Sequence, residues 1–311
     1  MVKKLLDGDV RALARRITLV EENAPGAVEA LRQVFPRTGG STVIGITGSP
    51  GAGKSSLVDG LVAAYRAKGS KVGVVAVDPS SAYSGGAILG DRIRMQQHAI
   101  DSGVFIRSMA TRGYLGGLSR AAGDAIDLMD AAGYDPILVE TVGVGQDEIE
   151  VVGTADVVCV VLVPGMGDDI QAIKAGILEI ADLFIVNKAD KPGVERLVMD
   201  LQYMISLAPG RQENGPPILK TIAARSEGIE EMLDSIGEYV RGAGRDKREE
   251  RRRERAARRL RTIVSERLTR MLMDRESERE HLDRLIDRVA HRQIDPYSAA
   301  EQLLAKVEVG T

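Results

Sequence analysis

Cysteine is almost absent from this 311-residue chain: Cys159 stands alone, so an internal disulfide is excluded. Histidine is as scarce. His98, His281 and His291 are scattered, and with Cys159 they form no metal-ligand spacing. A reducing compartment fits this composition, and the expected location is cytoplasmic. A basic excess is missing too, since 42 Lys and Arg stand against 45 Asp and Glu for a formal charge of -3. No nucleic-acid partner is expected of such a balance. Long apolar runs are also lacking. The most hydrophobic stretch, VVGTADVVCVVLVPGMG from Val151, is broken by Asp156 and Pro164 and reads as a buried strand, so no membrane partner is expected. The opening MVKKLLDGDVRALARR has no long apolar run, and Asp7, Asp9, Glu21 and Glu22 speak against a targeting peptide. What is present, 44% hydrophobic and 28% charged residues, suits one sizeable core with an appendage and excludes dominant disorder.

The 34 glycines concentrate between Gly39 and Gly215, beside short runs rich in β-branched residues that alternate with longer amphipathic stretches. This pattern predicts an α/β domain: a mostly parallel sheet with helices on both faces. Strands are expected at Val43 to Thr47, Lys71 to Val77, Val104 to Ser108, Ile137 to Thr141, Val157 to Val163, Leu183 to Asn187 and Ile218 to Ile222. Residues 1–38 read as a helical extension of two helices, with Leu6, Val10, Leu13 and Ile17 and then Ala27, Leu31 and Val34 at helical spacing. The core domain spans 39–241. Residues 242–311 form a charge-dense helical arm whose apolar positions, Leu260, Ile263, Val264, Leu268, Met271 and Leu272 and then Leu282, Leu285, Ile286 and Val289, recur every three to four residues. Its basic run from Arg251 is interleaved with Glu249 and Glu254, which reach Arg253 and Arg258 at i,i+4 as on a solvated helix. A second copy of the chain covering the apolar stripe makes a homodimer the expected state.

The sharpest motif is ITGSPGAGKSS, in which Gly48, Gly53, Lys54 and Ser55 fill G-x-x-x-x-G-K-[ST] between a strand and a helical run. Gly48, Gly51, Ala52 and Gly53 let backbone N–H groups turn in on a phosphate, and the helix start at Ser55 and Ser56 adds its dipole. Lys54 neutralises β/γ charge, and the Ser55 hydroxyl suits Mg²⁺. Acids that could lie near that ion end two strands and follow a third segment: Asp78 in VAVDPSS, Asp91 in LGDRIRM and Glu140 in PILVE. After Glu140, TVGVGQDE places Gly143, Gly145 and Gln146 as a γ-phosphate-sensing segment, with Gly143 offering a backbone N–H. The strand FIVNKAD supplies Asn187 to brace a loop, Lys188 to lie over a purine face and Asp190 to accept from guanine N1–H and the 2-amino group. With TIAA following, from Thr221 through Ala223 to Ala224, the expected nucleotides are GTP and GDP.

With these motifs, and with RALARRITLVEENAP, RSMATRGYLGGLS and VPGMGDDIQAIKAGILEIAD, the chain resembles the MeaB/ArgK family of P-loop GTPases over nearly its whole length. These are bacterial relatives of the human methylmalonic aciduria type A protein. No arginine or glutamine is assigned as the catalytic group, so slow GTP hydrolysis completed by a partner is expected. The resemblance implies a GTP-dependent chaperone role toward an adenosylcobalamin-dependent acyl-CoA mutase, usually methylmalonyl-CoA mutase. Cofactor loading would be gated and the mutase protected. It also implies a homodimer through the C-terminal arm, Mg²⁺-associated roles for Asp78, Asp91 and Glu140, and an additional switch from Pro164 to Lys174 that includes Asp168 and Asp169. Lys174 matches a functional lysine of the family. Two departures stand out: Ile222 occupies a position where relatives often carry a small residue, and Gln146 is not placed like the water-orienting glutamine of Ras-type proteins. Competing readings are a metal-delivery GTPase for nickel enzymes, a kinase linked to amino-acid transport, and a nucleotide-binding dimer without turnover.

Overall fold

The computed structural model describes residues 2–78, 98, 100–110, 117–141, 153–165, 180–207, 215–242, 245–274 and 276–308. Seven strands form one sheet: β1 (Val43–Gly48), β2 (Val72–Asp78), β3 (Val104–Ala110), β4 (Ile137–Thr141), β5 (Val157–Leu162), β6 (Leu183–Asn187) and β7 (Ile218–Thr221). Their order is β3-β2-β4-β1-β5-β6-β7, and every pairing is parallel. Parallel strands need crossovers that cover both faces, which is why β1, β4, β5 and β6 are buried along their whole length and read as continuous apolar runs. The pleat divides each run between two cores. Along β5, Val158, Val160 and Leu162 enter one layer, and Val157, Cys159 and Val161 enter the other. Burial pushes the Cys159 thiol up, so this cysteine is an inert core side chain.

On the second layer lie α4 (Lys54–Ala67) and α7 (Ile229–Gly242), with Leu57, Leu61, Met232 and Ile236 buried. The first layer is covered by α5 (Gly117–Ala131), α6 (Val194–Leu207) and the N-terminal helices. Those number three, not the expected two: α1 (Val2–Leu6), α2 (Val10–Glu21) and α3 (Ala27–Val34). The periodicity from Leu6 to Ile17 is interrupted because Gly8 takes φ +85° and the Asp9 carboxylate accepts from the Arg11 and Ala12 N–H groups, restarting the helix. Leu5, Leu13, Ile17 and Val20 then pack into the same core as α5, and Glu21 pairs with Arg107 of β3.

Strand ends differ from the sequence expectation by up to two residues. β2 and β3 run to Asp78 and Ala110 because these two residues pair with each other, a register that neither segment shows alone.

The chain divides into two compact units, Met1–Arg255 and Ala256–Thr311. Helix α8 (Arg245–Asp274) begins in the first, where Arg252 Nη2 donates to the Gly39 carbonyl at 3.1 Å and Arg255 Nη1 to that of Thr154 at 3.0 Å. Arg255 also pairs with Asp156, whose other oxygen accepts from Val43 N at the start of β1. The second unit continues α8 and adds α9 (Glu276–Ala290) and α10 (Pro296–Glu308), with Leu285 and Ala299 buried. Leu260, Val264 and Leu268 are exposed at 63%, 46% and 41%, leaving a line of apolar side chains along α8. Among the described residues no helix is long and apolar enough to cross a membrane.

Candidate nucleotide site

The carboxyl ends of β1, β4, β6 and β7 meet on one edge of the sheet, the edge where open parallel sheets hold ligands. From β1 the chain enters the loop Ser49-Pro50-Gly51-Ala52-Gly53 and then α4. Gly48 has φ +146°, and a Cβ there would strike the Val161 carbonyl oxygen of the neighbouring strand. Gly53, at φ +89°, is the residue preceding α4, and a Cβ on it would strike the Asn187 side-chain amide. Both positions therefore need glycine for approach as well as for dihedral angle.

Lys54 opens α4 and is buried, its ammonium donating to the carbonyls of Gly48 at 2.6 Å and Ser49 at 3.0 Å. The next residue, Ser55, donates its hydroxyl to Glu140 Oε1 at 2.6 Å. Glu140 reaches it from β4, where it is buried and stands in register with Ile46 of β1 and Ala76 of β2. One residue on, the Thr141 hydroxyl donates to that of Thr47 at 3.0 Å, fastening β4 to β1 just below the loop. Oxygen donors of this kind, a hydroxyl and a carboxylate side by side, match the chemistry of a hard divalent cation that retains water and phosphate ligands. Ser56 follows on α4. Asp78 ends β2, and its side chain is outside the described set. Asp91, Gly143, Gly145, Gln146, Asp168, Asp169 and Lys174 lie outside the described residues.

The second half of the site is built by β6 and β7, paired so that Asn187 faces Thr221. The buried Asn187 carboxamide donates to the Ala52 carbonyl at 2.8 Å, while its oxygen accepts from the Thr221 hydroxyl and the Ala223 N–H, each at 3.1 Å. A single side chain of β6 thus joins the phosphate loop to β7 and to the turn that follows it. Lys188, at φ +56°, adds a second strut by donating from Nζ to the Gly51 carbonyl at 2.7 Å. Ala189 N donates to the Thr221 carbonyl at 3.0 Å, which fixes the loop that presents Asp190 to solvent. Ala223 opens a short 3-10 turn, Ala223–Arg225, and Ile222 and Glu227 close it as a two-residue bridge. Sequence reasoning did not single out Arg225, whose guanidinium lies 3.8 Å from Asp190, nor the Thr47–Thr141 contact. Thr47 and Thr141 stand inside the quoted segments ITGSPGAGKSS and TVGVGQDE, but their contact follows only from the pairing of β1 with β4, and Arg225 is brought to Asp190 by the turn that follows β7.

A seven-stranded parallel sheet with a phosphate loop after its first strand and an Asn-Lys-x-Asp loop after its sixth defines the class: this is a P-loop GTPase. The particular family follows from comparison. The profile of the family described as "Methylmalonyl Co-A mutase-associated GTPase MeaB" matches residues 13–277, and the chain belongs to that family. A relative from Pyrococcus abyssi, named as a GTPase, is 48% identical over 313 residues, covering 99% of this chain and 96% of its own. GTPase ArgK of Escherichia coli is 37% identical over 246 residues, 76% of this chain and 74% of its own. The mitochondrial methylmalonic aciduria type A homolog of Caenorhabditis elegans is 35% identical over 273 residues, 82% of this chain and 68% of its own. Among solved structures, one described as an LAO/AO transport system kinase aligns with a TM-score of 0.75 and 26% identity, over 99% of this chain and 96% of that one.

Proposed function

We propose that this chain is a Mg²⁺-dependent GTPase that acts as chaperone of an adenosylcobalamin-dependent acyl-CoA mutase, methylmalonyl-CoA mutase being the first choice. The observation that carries the nucleotide part is the Asn187 carboxamide, bonded at once to the phosphate loop and to the base loop. The names of the family and of the Caenorhabditis elegans relative support the mutase as partner.

In this reading Lys54 exchanges its two loop carbonyls for β/γ-phosphate oxygens, with the N–H groups of Gly51, Ala52, Gly53, Ser55 and Ser56 around the β-phosphate. Ser55, Asp78, Asp91 and Glu140 would hold Mg²⁺, which would supply charge neutralisation on the phosphate oxygens. Glu140, released from the Ser55 hydroxyl, orients water, and Gly143 contacts the γ-phosphate. Asn187, Lys188, Asp190 and Ala223 form the guanine side. Lys174, in the segment from Pro164, transmits the nucleotide state to the mutase, and slow intrinsic turnover is completed by that partner. The line Leu260, Val264 and Leu268 on α8 makes the arm, residues 242–311, a homodimer contact, since burying it yields roughly 25 cal/mol per Å² of apolar area. The proposed location is cytoplasmic.

The test is GTP turnover with and without a purified cobalamin-dependent mutase from the same source. Stimulation by the mutase is expected, with Lys54→Ala losing nucleotide binding or turnover and Glu140→Ala losing mainly turnover. Absence of stimulation by every such mutase contradicts the chaperone role, and wild-type rates in both variants contradict the site. The kinase reading, which the named solved neighbour favours, is separated in the same assay by whether phosphate goes to water or stays on a protein or amino-acid acceptor.

A further inference from the structure

Arg225 stands beside the acid assigned above to guanine recognition. Its Nη2 lies 3.8 Å from Asp190 Oδ2 and its Nη1 lies 3.9 Å from Glu227 Oε1, so one guanidinium is shared between a carboxylate inside the base loop and one beyond it. The turn that carries it is pinned at both ends. Ala223 N is bonded to Asn187, Arg225 N donates to the Ile222 carbonyl at 2.8 Å, and Ile222 N donates to the Glu227 carbonyl at 3.0 Å. Gly228, at φ +78°, closes the turn where a Cβ would strike the Lys220 carbonyl oxygen. The backbone is therefore fixed while the Arg225 side chain, 61% exposed, has room to change partner.

Guanine offers Asp190 two N–H donors side by side, and a guanidinium offers the same arrangement with a positive charge added. Both claim the same carboxylate. From this geometry we infer that Arg225 is a positioning residue for base recognition: it occupies Asp190 in the empty site and passes to Glu227 when guanine arrives. The inference rests on Asp190 reading the base, and it adds a competitor that the base must displace. Glu227 keeps the displaced cation paired beside the loop, so that guanine does not have to expel it into the base's own space.

An exposed pair of this kind shifts an equilibrium roughly two- to fivefold. The test is stopped-flow association of ribose-labelled fluorescent GDP with the full chain, at low and high ionic strength, in wild type, Arg225→Ala, Arg225→Lys and Glu227→Gln. Arg225→Ala is expected to accelerate association about two- to fivefold. Arg225→Lys should restore the slower rate, and Glu227→Gln should slow association below wild type. Both differences should shrink at high salt, where exposed pairs are screened. Slower or unchanged association in Arg225→Ala, or an effect indifferent to salt, overturns the inference. A parallel measurement with the labelled ADP, taking dissociation as well as association rates, separates the two levels: equal wild-type affinity for ADP and GDP defeats the base-recognition reading itself, whereas guanine preference without acceleration in Arg225→Ala defeats only the role of Arg225.

Discussion

Asn187 uses both ends of one carboxamide, and no other side chain of its size donates and accepts in that geometry. Replacing it by alanine leaves the Ala52 carbonyl, the Thr221 hydroxyl and the Ala223 N–H without their partner in a buried place, at a cost of roughly 1–3 kcal/mol in stability. Asn187→Ala should therefore lower the denaturant midpoint and weaken GDP binding. Asn187→Asp keeps the accepting side but puts an oxygen against the Ala52 carbonyl, so it should not restore binding. Denaturation and GDP titration of the two variants check this, and native-like behaviour of Asn187→Asp would contradict it. The tetrapeptide NKAD made Asn187 legible in the sequence because its type and spacing are the motif. Its partner Thr221, 34 positions further on, becomes the neighbour only through the pairing of β6 with β7.

Helix α2 shows what an element owes to one residue. The Asp9 carboxylate, held below its ordinary range by the N–H of Ala12 and then by that of Arg11, starts the helix that carries Leu13, Ile17 and Val20 into the core. Because the folded-state value is depressed, the contribution is present above the ordinary aspartate range and is lost as pH falls through the folded value. Asp9→Ala should lower Tm at neutral pH, and the gap to wild type should close on acidification below the carboxylate range. A pH series of thermal melts reads this directly, and a gap that persists in acid would contradict the cap. Helical spacing alone ran through this break, since Leu6 and Val10 keep the period that Gly8 and Asp9 interrupt. The strands were more legible. Buried on both faces, β4 and β6 run through apolar residues, Ile137 to Val139 and Leu183 to Val186, to a polar end, and their bounds match the reading to the residue.

At the scale of the whole chain, the early part of α8 belongs with the GTPase unit through Arg252 and Arg255, although the composition changes already near Arg241. A chain ending after Arg255 keeps the pair with Asp156, and it should fold, bind GDP and scatter light as a monomer if dimerisation lies in the arm. A dimer persisting in that truncation would move the interface to the sheet domain. Selection of guanine by Asp190, presented by the loops that Asn187 joins, underlies the proposed function. Calorimetric titration of wild type and Asp190→Asn with GTP, ATP and xanthosine triphosphate tests it most directly. Wild type is expected to bind GTP with Mg²⁺ and to discriminate markedly against ATP, and Asp190→Asn to shift its preference from GTP to xanthosine triphosphate, whose extra carbonyl accepts from the new amide. Equal wild-type affinity for ATP and GTP would contradict it.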